Sequence, residues 1–327
     1  MIQSKLRDSF GRRHNYLRVS VTDRCNLRCA YCMGPEGVEW LPREQILSYE
    51  EIVKVVKVAV ALGIDRVRLT GGEPLTRKDL SLLISELSRI RGIQDLSMTT
   101  NGLLLPEQAQ SLRRAGLLRV NISLDSLNPA TYRRVTGGGD LQQALAGIEA
   151  ALEAGLNPVK INVVLLRGVN DHEVPDFIRL ATEKELQIRF IEYMPVGVGK
   201  MEQAESFFPV SAALEAAAAY ELSPTEKVIG TGPAKMYKLA GGAGAVGFIP
   251  SISEDFCAGC NRLRLTADGF LKPCLFWQDE LAVRPVLYDP DQLRALFFQA
   301  MIVKKKAHQM GEDGQSVKER CMSRIGG

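Results

Sequence analysis

Tyr16-Leu17-Arg18-Val19-Ser20-Val21-Thr22-Asp23-Arg24-Cys25-Asn26-Leu27-Arg28-Cys29-Ala30-Tyr31-Cys32 reads as a strand running directly into a metal loop. Apolar and polar residues alternate up to Thr22, the period of a strand with two unlike faces. Three thiols then fall within eight residues, spaced C-x3-C-x2-C. Three cysteines are an incomplete set for a structural zinc site, which closes with four ligands; they suit an iron–sulfur cluster that keeps one iron open. At ~3.5 Å of reach per residue, one loop can wrap around a cube-shaped cluster. A zinc loop completed by a distant histidine or cysteine competes with this reading on spacing alone.

Downstream, the same strand, loop and helix unit recurs. Ser48-Tyr49-Glu50-Glu51 has the form of a capping box before the apolar run Ile52 to Leu62, and Gly63 supplies a left-handed stop. Strands are expected at 65–70, 95–100, 119–124, 158–164 and 187–193, with helical stretches between them, several ending at a glycine: Gly92, Gly116 and Gly155. That order implies six parallel strands with crossover helices. One face of them is apolar: Leu17, Val19 and Val21, Val67 and Leu69, Leu96 and Met98, Val120, Ile122 and Leu124, Val159, Ile161 and Val163. The other carries Arg18 and Ser20, Arg68 and Thr70, Ser97 and Thr99, Asn121, Ser123 and Asp125, Lys160 and Asn162. A closed eight-stranded barrel would be filled by branched apolar side chains. The polar inner face points instead to an open, six-stranded partial barrel around a charged, hydrogen-bonding ligand. Internal ion pairs of Arg18, Arg68 and Lys160 with Asp125 or Glu192 are the alternative use for those charges.

The second strand runs into Thr70-Gly71-Gly72-Glu73-Pro74-Leu75, whose glycines allow close backbone approach; Thr76 and Asp79 resemble the start of the next helix. Beyond Met194 the periodicity breaks over Pro195 to Phe208, placing a boundary between a 1–194 region and a 195–327 region. A helix is expected over Ala212 to Tyr220, then shorter β-like stretches. Cys257, Cys260 and Cys274, the last beyond a hairpin turn at Ala267-Asp268-Gly269-Phe270, form a second set of three thiols. Two open iron–sulfur clusters use all six cysteines, whereas two zinc sites need further ligands and the histidines are only His14, His172 and His308. All three histidines sit in polar contexts and are expected at the surface. Cys321 stands alone and is read as a free thiol.

The 327 residues are 46% hydrophobic and 24% charged with a net charge of +3, the composition of a soluble globular protein. Lys and Arg are scattered, so neither a nucleic-acid nor a membrane partner is expected; Lys304-Lys305-Lys306 is read as a solvated segment. No secretory signal and no membrane span are expected, and reduced thiols suit a cytoplasmic protein.

The first triad, with an aromatic residue before its third cysteine and Gly-Gly-Glu-Pro after the second strand, resembles the radical S-adenosylmethionine superfamily. The second triad, the arginines beside it and Ile325-Gly326-Gly327 resemble one family within it, the GTP 3′,8-cyclases of molybdenum cofactor biosynthesis. The likeness covers nearly the whole chain, including Thr99-Thr100-Asn101-Gly102, Ser123-Leu124-Asp125 and Arg189-Phe190-Ile191-Glu192.

The resemblance implies an α/β fold: a partial (β/α)6 TIM-type barrel with a C-terminal α+β extension carrying a second cluster. It implies that Cys25, Cys29 and Cys32 hold one [4Fe-4S] cluster, whose open iron is chelated by S-adenosylmethionine, and that Cys257, Cys260 and Cys274 hold another facing the guanine. Tyr31, Gly72, Ser123 and Met194 match S-adenosylmethionine contacts, Glu73 assisting at its ammonium. Arg18, Arg68, Thr99, Lys160, Arg262 and Arg264 match GTP contacts; Arg189 lies at a matching position near the substrate or S-adenosylmethionine. Of these, Arg262 and Arg264 are also the expected catalytic residues. A 5′-deoxyadenosyl radical would take hydrogen from C3′ of the ribose, and the carbon radical would close on guanine C8. The glycine tail is expected to reach into the active site. Implied partners are a reducing electron donor and the downstream cyclic pyranopterin monophosphate synthase; a homodimer is left open. A different auxiliary-cluster radical enzyme, such as one modifying a peptide, and a non-catalytic iron–sulfur or zinc module are the competing classes.

Overall fold

The computed structural model describes residues 5–33, 37–196, 203–225, 232–254, 256–309 and 320–326. The six expected strands are β1 (Tyr16–Ser20), β2 (Arg66–Thr70), β3 (Asp95–Thr100), β4 (Arg119–Ser123), β5 (Val159–Leu165) and β6 (Leu186–Glu192), each parallel to the next. Their crossovers are α1 (Tyr49–Ala61), α2 (Leu80–Ser88), α3 (Leu105–Ala115), α4 (Pro129–Thr136) with α5 (Leu141–Glu153), and α6 (Val174–Glu183).

Local chemistry sets these boundaries. Ahead of α1, Ser48 Oγ accepts from the Glu51 amide and Glu51 Oε2 accepts from the Ser48 amide, completing the capping box. The chain leaves α1 through Gly63 at φ 97°, a conformation that disfavours a side chain. Asp79 does precede α2, but it takes a left-handed φ of 57° and its side chain makes no cap bond. The alternation behaves as expected: Leu17, Val19, Val67, Leu69, Val120 and Ile161 are fully buried in one core with Ile52, Val55, Leu83 and Phe177 of the helices. Each such side chain contributes ~1.5–3 kcal/mol.

The remainder of the chain extends both edges of this sheet. It forms α7 (Gln203–Ser206), α8 (Val210–Ala216), β7 (Leu222–Pro224), β8 (Lys235–Leu239), β9 (Ala245–Ile249), β10 (Arg262–Leu265), β11 (Phe270–Lys272), β12 (Leu281–Ala282), α9 (Pro290–Val303) and α10 (Met322–Ile325). The strand order is β12-β11-β10-β1-β2-β3-β4-β5-β6-β9-β8-β7, an open sheet of twelve strands among the described residues. The helix expected over 212–220 is α8, displaced toward the N-terminus. Parallel pairing continues from β1 to β10 and from β6 to β9, so strands from the C-terminal region cover both exposed edges of the six-stranded unit. The 267–270 turn is a hairpin: β10 and β11 are antiparallel, with Gly269 at φ 85°. Gly197, Gly199 and Gly327 lie outside the described residues. No helix among those described is long and apolar enough to cross a membrane.

Candidate active site

The polar strand faces line a cavity of about 370 Å³ that also takes in all six cysteines of the two triads. Their placement follows from register. Tyr16 pairs with Arg262 and Arg18 with Arg264 in parallel. The first triad follows the C-terminal end of β1, Cys257 and Cys260 precede β10, and Cys274 follows the antiparallel β11 back to that same end. The triads therefore sit at opposite ends of one strand pair, separated by roughly the ~17 Å that five residues of strand span.

At the first end, the glycine pair is needed for contact with the cysteine loop. Gly72 N donates to Thr22 O at 2.8 Å and Glu73 N to Arg24 O at 2.7 Å. A Cβ on Gly72 would stand 2.3 Å from Arg24 O. Glu73 is 1% exposed and accepts from Leu75 N (3.0 Å), Thr100 Oγ1 (2.7 Å) and Asn101 N (2.7 Å). That leaves about one of the ~four acceptor positions of a carboxylate for a ligand. Burial nonetheless pushes Glu73 up to about 7. Tyr31 donates to Asp125 at 2.6 Å and meets Tyr193 edge-on; Asp125 is pushed up to about 6 by burial. Asp125 also accepts from Val164 N, and Glu192 from Val210 N, Ile252 N and Ser253. These bonds commit the two carboxylates to local backbone. Ser123 and Met194 line the same end.

Burial pushes the Cys25 thiol up to about 11 and Cys29 well above its usual range; Cys32 is raised first by the Cys321 sulfur beside it and then by burial. Thiolates there require a nearby metal charge. Among the described residues no three Cys, His, Asp or Glu converge on one ion. Ligands spread over separate irons of a cluster have no need to. On donor type and spacing, both triads fit a [4Fe-4S] cluster with one open iron. Cys321 is a free thiol, as expected, but it is buried beside the first triad, its sulfur 3.8 Å from Cys32 O.

Between the triads runs a belt of cations. Among the described residues, Arg18, Arg66, Arg68, Arg119, Lys160, Arg189, Arg262 and Arg264 line the cavity, against three carboxylates, Glu73, Asp95 and Asp125, with Asp65 pairing Arg66 from outside it at 3.9 Å. Asp95 is bound by Arg119 at 2.9 and 2.5 Å. With the Asn121 amide turned so that its oxygen faces the two guanidiniums, the orientation their donors require, it accepts from Arg68 Nη1 and Arg189 Nη2 at 2.6 Å each; Asn162 accepts from Arg189 at 2.6 Å, and Ser97 accepts from Arg68 at 3.2 Å. Neutral acceptors orient these guanidiniums but do not balance their charge. Burial first, and neighbouring cations second, lower Lys160 to about 6, Arg189 to about 9 and Arg264 to about 10. An excess of buried positive charge is costly until an anion enters. Thr99 Oγ1 and Tyr16 OH are buried in this region with no hydrogen-bond partner among the described residues. Tyr16 also lies beneath Arg68, whose guanidinium carbon is 5.5 Å from the ring centroid.

Tyr16, Arg66, Asp95 and Arg119 are absent from the polar face inferred from sequence. They occupy the same alternation two residues earlier on each strand, and extending the pattern to the strand starts finds them.

Three expectations fail near the second triad. His14 is fully buried, its Nε2 3.0 Å from Asp8 Oδ2, because the N-terminal arm folds back on itself, Arg7 bridging Arg13 and His14 N donating to Leu6 O. His308 is half-buried and lines the cavity, packed against the rings of Phe256 and Phe276; of the three histidines only His172 is exposed. Lys304 is 4% exposed, its ammonium donating to Arg262 O and Pro273 O, so only the rest of the lysine run is solvated. The C-terminal segment returns to the cavity: Gly326 O accepts from Arg264, and a Cβ on Gly326 would stand 2.2 Å from Thr70 Oγ1.

Comparison with known proteins adds an independent line. The family model described as Radical SAM superfamily matches residues 19–181, and that described as Molybdenum Cofactor Synthesis C matches residues 186–310. The chain is 47% identical over 330 residues to a GTP 3′,8-cyclase of Listeria monocytogenes, covering 98% of this chain and 99% of that one. It is 48% identical over 322 residues to a GTP 3′,8-cyclase of Petrotoga mobilis, with 98% and 99% covered. The crystal structure of Streptococcus suis SuiB bound to S-adenosylmethionine shares the fold, with a TM-score of 0.58 at 14% identity over 87% of this chain and 68% of that one.

Proposed function

Because the chain belongs to the GTP 3′,8-cyclases of the radical S-adenosylmethionine superfamily, we propose that its cavity converts GTP to 3′,8-cyclo-7,8-dihydro-GTP, the first step of molybdenum cofactor biosynthesis. When bound, the reduced first cluster and S-adenosylmethionine would supply a 5′-deoxyadenosyl radical to take hydrogen from ribose C3′; closure of that carbon on guanine C8 would leave a radical on the base, which one electron from the reductant and one proton bring to the dihydro product.

In this reading Cys25, Cys29 and Cys32 hold the first [4Fe-4S] cluster and Cys257, Cys260 and Cys274 the second. Tyr31, Gly72, Glu73, Ser123 and Met194 form the S-adenosylmethionine end. Arg18, Arg68, Thr99, Lys160 and Arg189 bind the triphosphate, and Arg262 and Arg264 orient the nucleotide beside the second cluster. The observation that carries the reading is the excess of eight cationic side chains over three carboxylates along a cavity with an open triad at each end. A polyanion neutralises the belt while its base and sugar reach toward opposite triads. A peptide substrate would leave most of that charge uncompensated.

The same proposal includes an auxiliary-cluster and substrate-binding region from residue 195, a cytoplasmic location, a reducing electron donor and cyclic pyranopterin monophosphate synthase as consumer of the product. The test is anaerobic incubation with reductant, S-adenosylmethionine and each nucleotide in turn, following 5′-deoxyadenosine and nucleotide products. GTP alone should yield the cyclised product. Equal 5′-deoxyadenosine with ATP or with no nucleotide, and no cyclised product, refutes the assignment. Reconstituted protein should hold ~eight irons, ~four per cluster; zinc-loaded protein without brown absorbance refutes both clusters.

A further inference from the structure

Two cations that do not line the cavity, the buried Lys304 and the partly buried Arg12, brace the second triad. Lys304 donates to Arg262 O at 3.1 Å and to Pro273 O. Those carbonyls lie two residues after Cys260 and immediately before Cys274. Arg12 Nη1 donates to Cys257 O at 2.8 Å, and the same guanidinium reaches Lys306 O at 2.6 Å and Lys305 O at 2.7 Å. Each of the three ligand-bearing stretches is thus tied by its backbone to one of two side chains far away in sequence. Asp8 in turn fixes Arg12, accepting from its Nε at 2.6 Å and from its amide at 3.0 Å.

We infer that Arg12 and Lys304 are positioning residues for the second metal centre, holding the Cys257, Cys260 and Cys274 segments at the spacing one cluster requires. Two features favour this over a general stabilising role. Lys304 is spent on carbonyl groups of the ligand segments, and the η nitrogens of Arg12 on carbonyls of Cys257 and of the segment that carries Lys304, its Nε being held by Asp8, so the bonds of both side chains meet around one centre. Neither residue lines the cavity, so neither is placed to meet substrate. The Lys304 ammonium also offsets the negative charge that three thiolates and a reduced cluster bring, whereas Arg12 is paired with Asp8. The inference rests on the second triad being a cluster site, which the iron content of the parent protein tests separately.

The experiment compares parent, Lys304→Met, Lys304→Arg and Arg12→Gln after anaerobic reconstitution. It follows iron per chain, the electron paramagnetic resonance signals of the two reduced clusters, the rate of iron loss to a chelator, and the melting temperature of the metal-free chains. Removal of an outer-shell partner typically weakens a metal site ~10–100-fold. Lys304→Met and Arg12→Gln should lose the second cluster at least ~10-fold faster than parent, keeping the first cluster and its spectral response to S-adenosylmethionine. Lys304→Arg, which retains charge and donors, should recover part of the difference and is the readout if the Met variant fails to fold. Equal loss of both clusters together with a lowered metal-free melting temperature marks a merely structural role and overturns the inference. So does unchanged chelator resistance in every variant. A parent protein with ~four irons refutes the cluster reading instead.

Discussion

Lys160 offers the sharpest test of the cation belt, because its charge state should change when the substrate arrives. In the ligand-free protein, burial and then Arg189, Arg119 and Arg68 lower its ammonium from the ordinary 10.5 to about 6. At pH 8 only ~1 in 100 molecules then carries that proton. A triphosphate beside the amine favours the charged form and moves its pKa back upward, so binding takes up ~one proton. Arg189, at about 9, and Arg264, at about 10, stay mostly charged at this pH, and the terminal phosphate, with its last pKa near ~6, is already ionised. The sign follows: GTP affinity should fall as pH rises above about 6, by up to ~tenfold or ~1.4 kcal/mol per unit, until the bound-state pKa is passed. Titration calorimetry in two buffers of different ionisation enthalpy reads the proton count directly. Lys160→Met should bind more weakly, with uptake near zero and a flattened pH dependence. Equal proton uptake in parent and variant would show that another group is responsible and refute the reasoning.

Gly72→Ala sets a Cβ 2.3 Å from Arg24 O and 2.6 Å from Asp23 O, backbone atoms that cannot swing aside; urea unfolding should show ~1–3 kcal/mol lost, with 5′-deoxyadenosine formation abolished. Arg119→Met removes the two-point partner of Asp95 and should cost ~2–4 kcal/mol, and adding Asp95→Asn should recover most of it in the same assay. Glu73→Gln keeps one acceptor oxygen but turns an amide toward backbone donors, costing ~1–3 kcal/mol at pH 8. Because Glu73 is raised to about 7 from 4.5, the folded parent binds more protons than the unfolded chain in that interval. The stability advantage of parent over Gln variant should therefore shrink as pH rises from 4.5 to about 7, and melting curves across that window check it.

Period-two alternation on β1 to β5 separated the helix-facing residues from those facing the cavity, since a buried face permits only one strand phase. The same signal placed Arg18, Arg68 and Lys160 inside. It stopped short at Tyr16, Arg66, Asp95 and Arg119, where the strand starts merge with polar turns and the alternation has no upstream neighbour to confirm it. His14 and Lys304 could not be placed locally, because what buries them comes from elsewhere: Asp8 and Arg12 on the returning arm, and the carbonyls of Arg262 and Pro273. Cys321 meets Cys32 across 289 positions, a contact for which neither residue's neighbours carry a pattern. Nor could local periodicity show that β10 and β9 would join the two edges, because strand pairing at that separation leaves no repeat in either strand.

The β1–β10 pairing links the core to the chemistry. Leu263 and Leu265 are fully buried on the same side of the sheet as Leu17 and Val19. Arg262 and Arg264 occupy the alternate positions and therefore face the cavity. Slipping β10 by one residue would bury both guanidiniums among helix side chains and turn both leucines toward the cations, a double cost of buried charge and exposed hydrocarbon. The apolar residues thus hold the arginines in line with Arg18 and keep the second triad at the end of the strand pair opposite the first. A ligand reaching from one triad to the other must pass along that row of charge, which is why the shape of the site and its preference for a polyanion have the same structural origin.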